Sequence, residues 1–251
     1  MAPPPAVAAH GLSLGYGAGP ALEGVHFEAA AGTTLCVLGP NGGGKTTLFR
    51  ALIGDLRPLA GDVHVAGRPA YLAQTERTRL DFPVSALDVA LMGSLASGRW
   101  WLPPRRAERH AALAALERVG LAAQADTLFG ELSGGQRRRA LLARALTQDA
   151  AVLLLDEPFA GVDPASAELM TAVFDELRSE GRTLLVSTHD VESARSFDLV
   201  LCLNGLQVAF GAPGESLGRE VLETTYGSDL VILEEAPERP VRAITVQHHE
   251  H

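Results

Sequence analysis

The stretch Gly39-Pro40-Asn41-Gly42-Gly43-Gly44-Lys45-Thr46-Thr47 constrains this chain more than any other. An apolar run, Leu35-Cys36-Val37-Leu38, precedes it and is short enough to be a buried strand. Leu48 to Ile53 follows and reads as the opening of a helix. A strand, then G-x-x-x-x-G-K-T, then a helix describe a phosphate-binding loop. Its successive backbone N–H groups form an anion nest, and the helix N-terminus adds roughly half a positive charge. Glycines let the backbone wrap phosphates where side chains would block it. In this reading Lys45 reaches the β- and γ-phosphates of a nucleoside triphosphate and the Thr46 hydroxyl coordinates Mg²⁺. Lys45 is also the only lysine among 21 basic residues. A compact ammonium fits a phosphate cradle that would clash with a planar guanidinium.

The chain has 251 residues, enough for one α/β domain with an insertion. Its formal charge of −9 disfavours a general role in nucleic-acid binding. No apolar stretch approaches the ~18 residues needed to cross a bilayer. The opening Met1-Ala2-Pro3-Pro4-Pro5 lacks the features of a secretion signal. The expectation is a cytoplasmic chain whose membrane role, if any, comes through a partner. Cys36 and Cys202 both lie in apolar runs and read as packing residues.

Residues 6–30 carry short alternating runs broken by glycines, suited to antiparallel strands of an edge sheet. Tyr16, between two glycines, can stack on a purine or serve as an ordinary surface tyrosine. Residues 61–67 read as a strand and turn, and Ala70 to Gln74 as a short strand whose terminal Gln74 can reach Mg²⁺ or an attacking water. Residues 84–96 and 105–119 have helical periodicity, the second with an apolar stripe of Ala111, Ala112, Ala115, Leu116 and Val119. Between them lies the Trp100-Trp101 pair, and residues 76–130 read as a helical insertion. In Leu132-Ser133-Gly134-Gly135-Gln136, Ser133 is a good N-cap for the helix that follows and the glycines expose further N–H groups, a second phosphate-binding device. Ala151 to Leu155 is a continuous apolar strand ending in Asp156 and Glu157, which suit Mg²⁺ and a base that polarises water. Asp163-Pro164 opens a helix running to about Glu180. Thr183 to Asp190 reads as one more buried strand with polar residues, His189 among them, at its end. Leu199 to Phe210 reads as a hairpin around Asn204-Gly205, and residues 234–251 as a loosely ordered tail.

With these pieces in order, the chain resembles the ATP-binding subunit of an ABC transporter over nearly its whole length. Tyr16 matches the adenine-stacking A-loop, residues 39–47 the Walker A loop, Gln74 the Q-loop, and Leu132 to Gln136 the signature. Val152 to Glu157 matches Walker B with its catalytic glutamate, and His189 the switch histidine. Gly161-Val162-Asp163 stands where the family usually reads S-A-L-D. The resemblance implies a P-loop cassette at residues 1–233, with a mainly parallel core sheet, an antiparallel β edge subdomain and a helical subdomain at about 76–148. It implies ATP and Mg²⁺ as ligands, and Glu157, His189, Gln74 and Lys45 as catalytic residues. It further implies a head-to-tail pair in which Ser133, Gly134, Gly135 and Gln136 complete the partner's ATP site. The pair would work at the cytoplasmic face of the membrane with an integral permease.

Asp81 to Gly93, and Phe210 to Pro213 leading to Thr225-Tyr226-Gly227, resemble the zinc and manganese uptake subgroup. That implies an extracytoplasmic metal-binding protein as an indirect partner. The ending His248-His249-Glu250-His251 offers ligands suited to zinc, or is a disordered tail or expression remnant. Zinc stands ahead of manganese on this reading. The alternatives are an iron-siderophore or cobalamin importer ATPase, and a soluble non-transport ABC ATPase. Against the second, this chain shows neither the long coiled coils of the repair members nor the two cassettes of the ribosomal ones.

Overall fold

A computed structural model describes residues 4–17, 19–74, 83–97, 103–227, 230–233 and 242–245. Its centre is a six-stranded sheet formed by β3 (Thr34–Leu38), β5 (Ala70–Leu72), β6 (Val152–Asp156), β7 (Thr183–Thr188), β8 (Leu199–Leu203) and β9 (Gln207–Gly211). Their order is β5-β6-β7-β3-β8-β9, and only β9 runs antiparallel to its neighbour. Strands buried on both faces need no polar alternation, which is why β3, β6 and most of β7 read as unbroken apolar runs. The two faces still feed different cores. Leu153 and Leu155 of β6 pack with the helical part of the molecule, while Val152 and Leu154 pack against the edge sheet.

That edge sheet contains β1 (Val7–Gly15), β2 (Pro20–Ala29) and β4 (Ala60–Val65), antiparallel in the order β2-β1-β4. Between it and the central sheet lies α1 (Lys45–Leu52), with Leu48 and Phe49 buried in the shared core. The helical part comprises α2 (Ala86–Leu91), α3 (Arg106–Arg118) and α4 (Gly134–Leu146). Ser85 and Asp88 close a reciprocal capping box on α2, which tightens into a 3₁₀ turn over Met92–Ser97. On α3 the buried stripe is Ala112, Ala115, Leu116 and Val119, at helical spacing; Ala111 is exposed, because it lies about 100° round the helix from Ala112.

Then follow α5 (Pro164–Ser179), capped by the Asp163 side chain on Ser166 N–H, and α6 (Val191–Ala194). From Pro213 the chain continues in regular structure among the described residues. It forms α7 (Pro213–Ser216), α8 (Arg219–Tyr226) and an antiparallel pair, β10 (Leu230–Leu233) with β11 (Arg242–Thr245). Arg242–Thr245 is thus a strand inside the segment read as a loose tail. The histidines at its end, Asp81 and both tryptophans lie outside the described residues. Among the described residues no helix is long and apolar enough to cross a membrane.

Candidate nucleotide site

Parallel strands deliver their C-terminal ends to one edge of a sheet, and ligand sites form there. In register, Leu38 pairs with Thr188, Asp156 with Ser187, and Leu72 with Leu155. The loops after β3, β5, β6 and β7 therefore emerge side by side. They surround a cavity of about 600 Å³ lined by residues including Asn41, Gln74, Glu157, Gly161 and His189.

The loop at 39–47 is seated on β8. A Cβ added at Gly39 would lie 2.1 Å from the Leu203 carbonyl oxygen, so only glycine permits this approach. At the start of α1, Lys45 is 6% exposed and turned inward. Its Nζ donates to the carbonyls of Gly39 (2.7 Å) and Pro40 (3.1 Å) and lies 3.3 Å from Glu157 Oε1. The Thr46 hydroxyl donates to Asp156 Oδ2 at 2.8 Å, and the Tyr71 hydroxyl reaches the same oxygen at 3.3 Å. Burial, reinforced by the Asp156 carboxylate, pushes the Tyr71 phenol well above its ordinary value. Tyr16 is 47% exposed beside α1, its hydroxyl 3.4 Å from Thr47 Oγ1 and its ring covered by Arg50.

Glu157 has φ of +43°, a left-handed conformation that costs a non-glycine residue energy and persists only where neighbours hold it. Its N–H donates to Ser187 Oγ at 2.8 Å, while the same hydroxyl donates to Asp156 Oδ1. One serine thus fixes both acids. Glu157 Oε2 lies 3.5 Å from His189 Nδ1. The hydrogen bond to His189 holds the Glu157 carboxyl below its ordinary value, with Lys45 assisting against burial. The same bond raises His189.

The structure brings Gln74, Asp156, Glu157, His189, Lys45 and Thr46 together, with Asn41 at the rim. It keeps the second device apart. Ser133 and Gly134 are exposed at the start of α4, and none of Ser133–Gln136 lines the cavity. Ser133 accepts from Gln136 N–H and donates its own N–H to Gln136 Oε1, closing a capping box. Gly135 is buried against α5, where a Cβ would lie 2.2 Å from Asp163 Oδ2.

Two residues of the site carry no motif. Ser187 was visible only as the polar end of an apolar strand. Arg138 was the middle of an arginine run, although its spacing from Gly135, Leu142 and Ala145 places it on the buried stripe of α4.

A parallel sheet with a glycine-rich loop on a helix N-terminus, facing a strand-end Asp-Glu pair, defines an ATPase of the P-loop class. Residues 22–160 match the family described as ABC transporter, and the chain belongs to this family as one of its ATP-binding cassettes, an ABC-type ATPase. It is 41% identical over 231 residues to the zinc transport system ATP-binding protein TroB of Treponema pallidum, covering 88% of this chain and 87% of that one. It is 40% identical over 233 residues to the manganese transport system ATP-binding protein MntA of Synechocystis, covering 88% and 90%. Among solved structures, an inward-facing metal-chelate type ABC transporter superposes with a TM-score of 0.85 at 27% identity, covering 97% of this chain and 98% of that one.

Proposed function

We propose that this chain hydrolyses ATP to power uptake of a divalent transition metal ion, zinc or manganese, through a separate membrane subunit. The observation that carries the chemistry is the Lys45–Glu157–His189 cluster beside the Thr46–Asp156 pair. Relatives named for zinc and for manganese transport, at 41% and 40% identity, support the cargo class and stand level between the two metals.

The phosphates of ATP take the loop's N–H groups, and Lys45 exchanges the Gly39 and Pro40 carbonyls for phosphate oxygens. Mg²⁺ fits the hard oxygen donors converging at Thr46 and Asp156, with Gln74 on the same cavity, and would neutralise phosphate charge there. Glu157 accepts the proton of the attacking water or orients it, and His189 holds Glu157 in place. Tyr16 stacks on the adenine. Because Ser133–Gln136 do not line this cavity, they serve the ATP of a second copy paired head to tail. The pair sits on a permease at the cytoplasmic face of the membrane, with an extracytoplasmic metal-binding protein delivering the ion.

The test is turnover of the purified chain with Mg-ATP. Glu157→Gln should keep nucleotide binding, lower hydrolysis roughly 100-fold or more, and form an ATP-dependent dimer on size exclusion. Wild-type turnover in Glu157→Gln would remove Glu157 from the mechanism.

A further inference from the structure

Among the three consecutive arginines of α4, Arg138 is the buried one, 8% exposed. Its guanidinium contacts five main-chain carbonyls. Nη2 donates to Asp156 O and Glu157 O, both at 2.8 Å, and Nε to Pro158 O at 3.0 Å. Nη1 donates to Ala73 O at 2.7 Å and Gln74 O at 3.3 Å. Five contacts match in number the five N–H groups of a guanidinium. Taking a cation out of water is costly, and convergent carbonyl dipoles offset that cost where a mere space-filler would be apolar.

The carbonyls belong to two segments that each supply a cavity residue, Gln74 after β5 and Glu157 after β6. The Glu157 residue, held at φ +43°, is gripped from both sides: Ser187 Oγ takes its N–H and Arg138 takes its carbonyl. Arg138 itself rides on α4, about one turn from its N-terminal end at the exposed Gly134 and the buried Gly135. A displacement of that end is therefore transmitted through one rigid, planar fork to the backbone of both Gln74 and Glu157.

We propose that Arg138 is a positioning residue for hydrolysis: it sets Glu157 and Gln74 relative to each other and couples both to engagement of the α4 N-terminus. The proposal rests on the ATPase mechanism given above and adds to it a route from the second copy's ATP to the base. It needs no contact between Arg138 and substrate.

The experiment measures kcat and KM for ATP, nucleotide Kd, and thermal unfolding for wild type, Arg138→Gln, Arg138→Lys and Arg139→Gln. Arg138→Gln should lower kcat on the order of 10- to 100-fold, the scale set by a small misplacement of a catalytic group, while KM and Kd stay within about threefold. Arg138→Lys, which keeps the charge and up to three donors, should recover part of kcat. Arg139→Gln, whose guanidinium bonds to Val119 O and Gly120 O within the helical part, should turn over like wild type. Loss of ATP affinity in step with kcat, or kcat within twofold of wild type in Arg138→Gln, would overturn the proposal. Should Arg138→Gln fail to fold, Arg138→Lys decides by the same two criteria. An inactive wild type would instead strike the ATPase mechanism and leave no role for Arg138 to modify.

Discussion

Glu157 and His189 share one bond that moves each of them in the opposite direction. The carboxyl is lowered from about 4.5 and the imidazole raised from about 6.5, each chiefly by the other. A raised imidazole contributes stability that is complete below its unfolded value and is lost as pH rises through its folded one. A lowered carboxyl contributes stability present above its unfolded value and lost as pH falls through its folded one. The pair is therefore strongest in the window from about 4.5 to 6.5 bounded by the two ordinary values, and weakens on either side. Proton NMR should show His189 titrating above an ordinary imidazole in wild type and moving down in Glu157→Gln. An unchanged midpoint would mean that the contact does not govern the histidine. Lys45 was legible from its place in the glycine-rich loop and the acids from theirs at the end of an apolar strand, whereas the role read for His189 came from the family resemblance. Ser187 and Arg138 were not legible, since a serine ending a strand and an arginine in a basic run acquire meaning only from what lies across the fold.

At the scale of elements, the strands were readable because a doubly buried parallel sheet needs uninterrupted apolar residues, as in Val152 to Leu155. The helical part was read correctly in outline from the spacing of Ala112, Ala115 and Leu116, while Ala111 was placed one residue off the buried stripe. The short helices α7 and α8 escaped because four and eight residues give too few turns for a periodic signal. Leu116 is fully buried in the core joining α2, α3 and α4 to the central sheet, whereas Leu113 on the same helix is exposed. Leu116→Ala should cost about 2–5 kcal/mol in denaturant unfolding. Leu113→Ala should stay within about 0.5 kcal/mol of wild type. Equal effects of the two would contradict the orientation of α3.

For the whole molecule, the cassette chemistry was legible and the cargo much less so. The cavity's polar residues, such as Asn41, Gln74, Glu157 and His189, suit phosphate and water and carry no mark of a particular cargo ion. In a strain lacking this gene, cellular zinc or manganese should fall under chelation and recover with added metal. Normal content of both, with a defect in siderophore or cobalamin uptake instead, would move the assignment to another cargo and leave the ATPase intact. The buried Lys45 has a further consequence for how such an assembly can be studied. The chain's remaining 20 basic residues are arginines (21 less the single lysine), so outside the phosphate loop its side-chain cations are all guanidinium or imidazolium groups. Apart from the α-amino group, amine-reactive cross-linkers find nothing on the exterior to grip. Contacts between copies, or with a membrane subunit, are silent to that chemistry and open to reagents that activate carboxylates, of which the chain has 30 on its side chains.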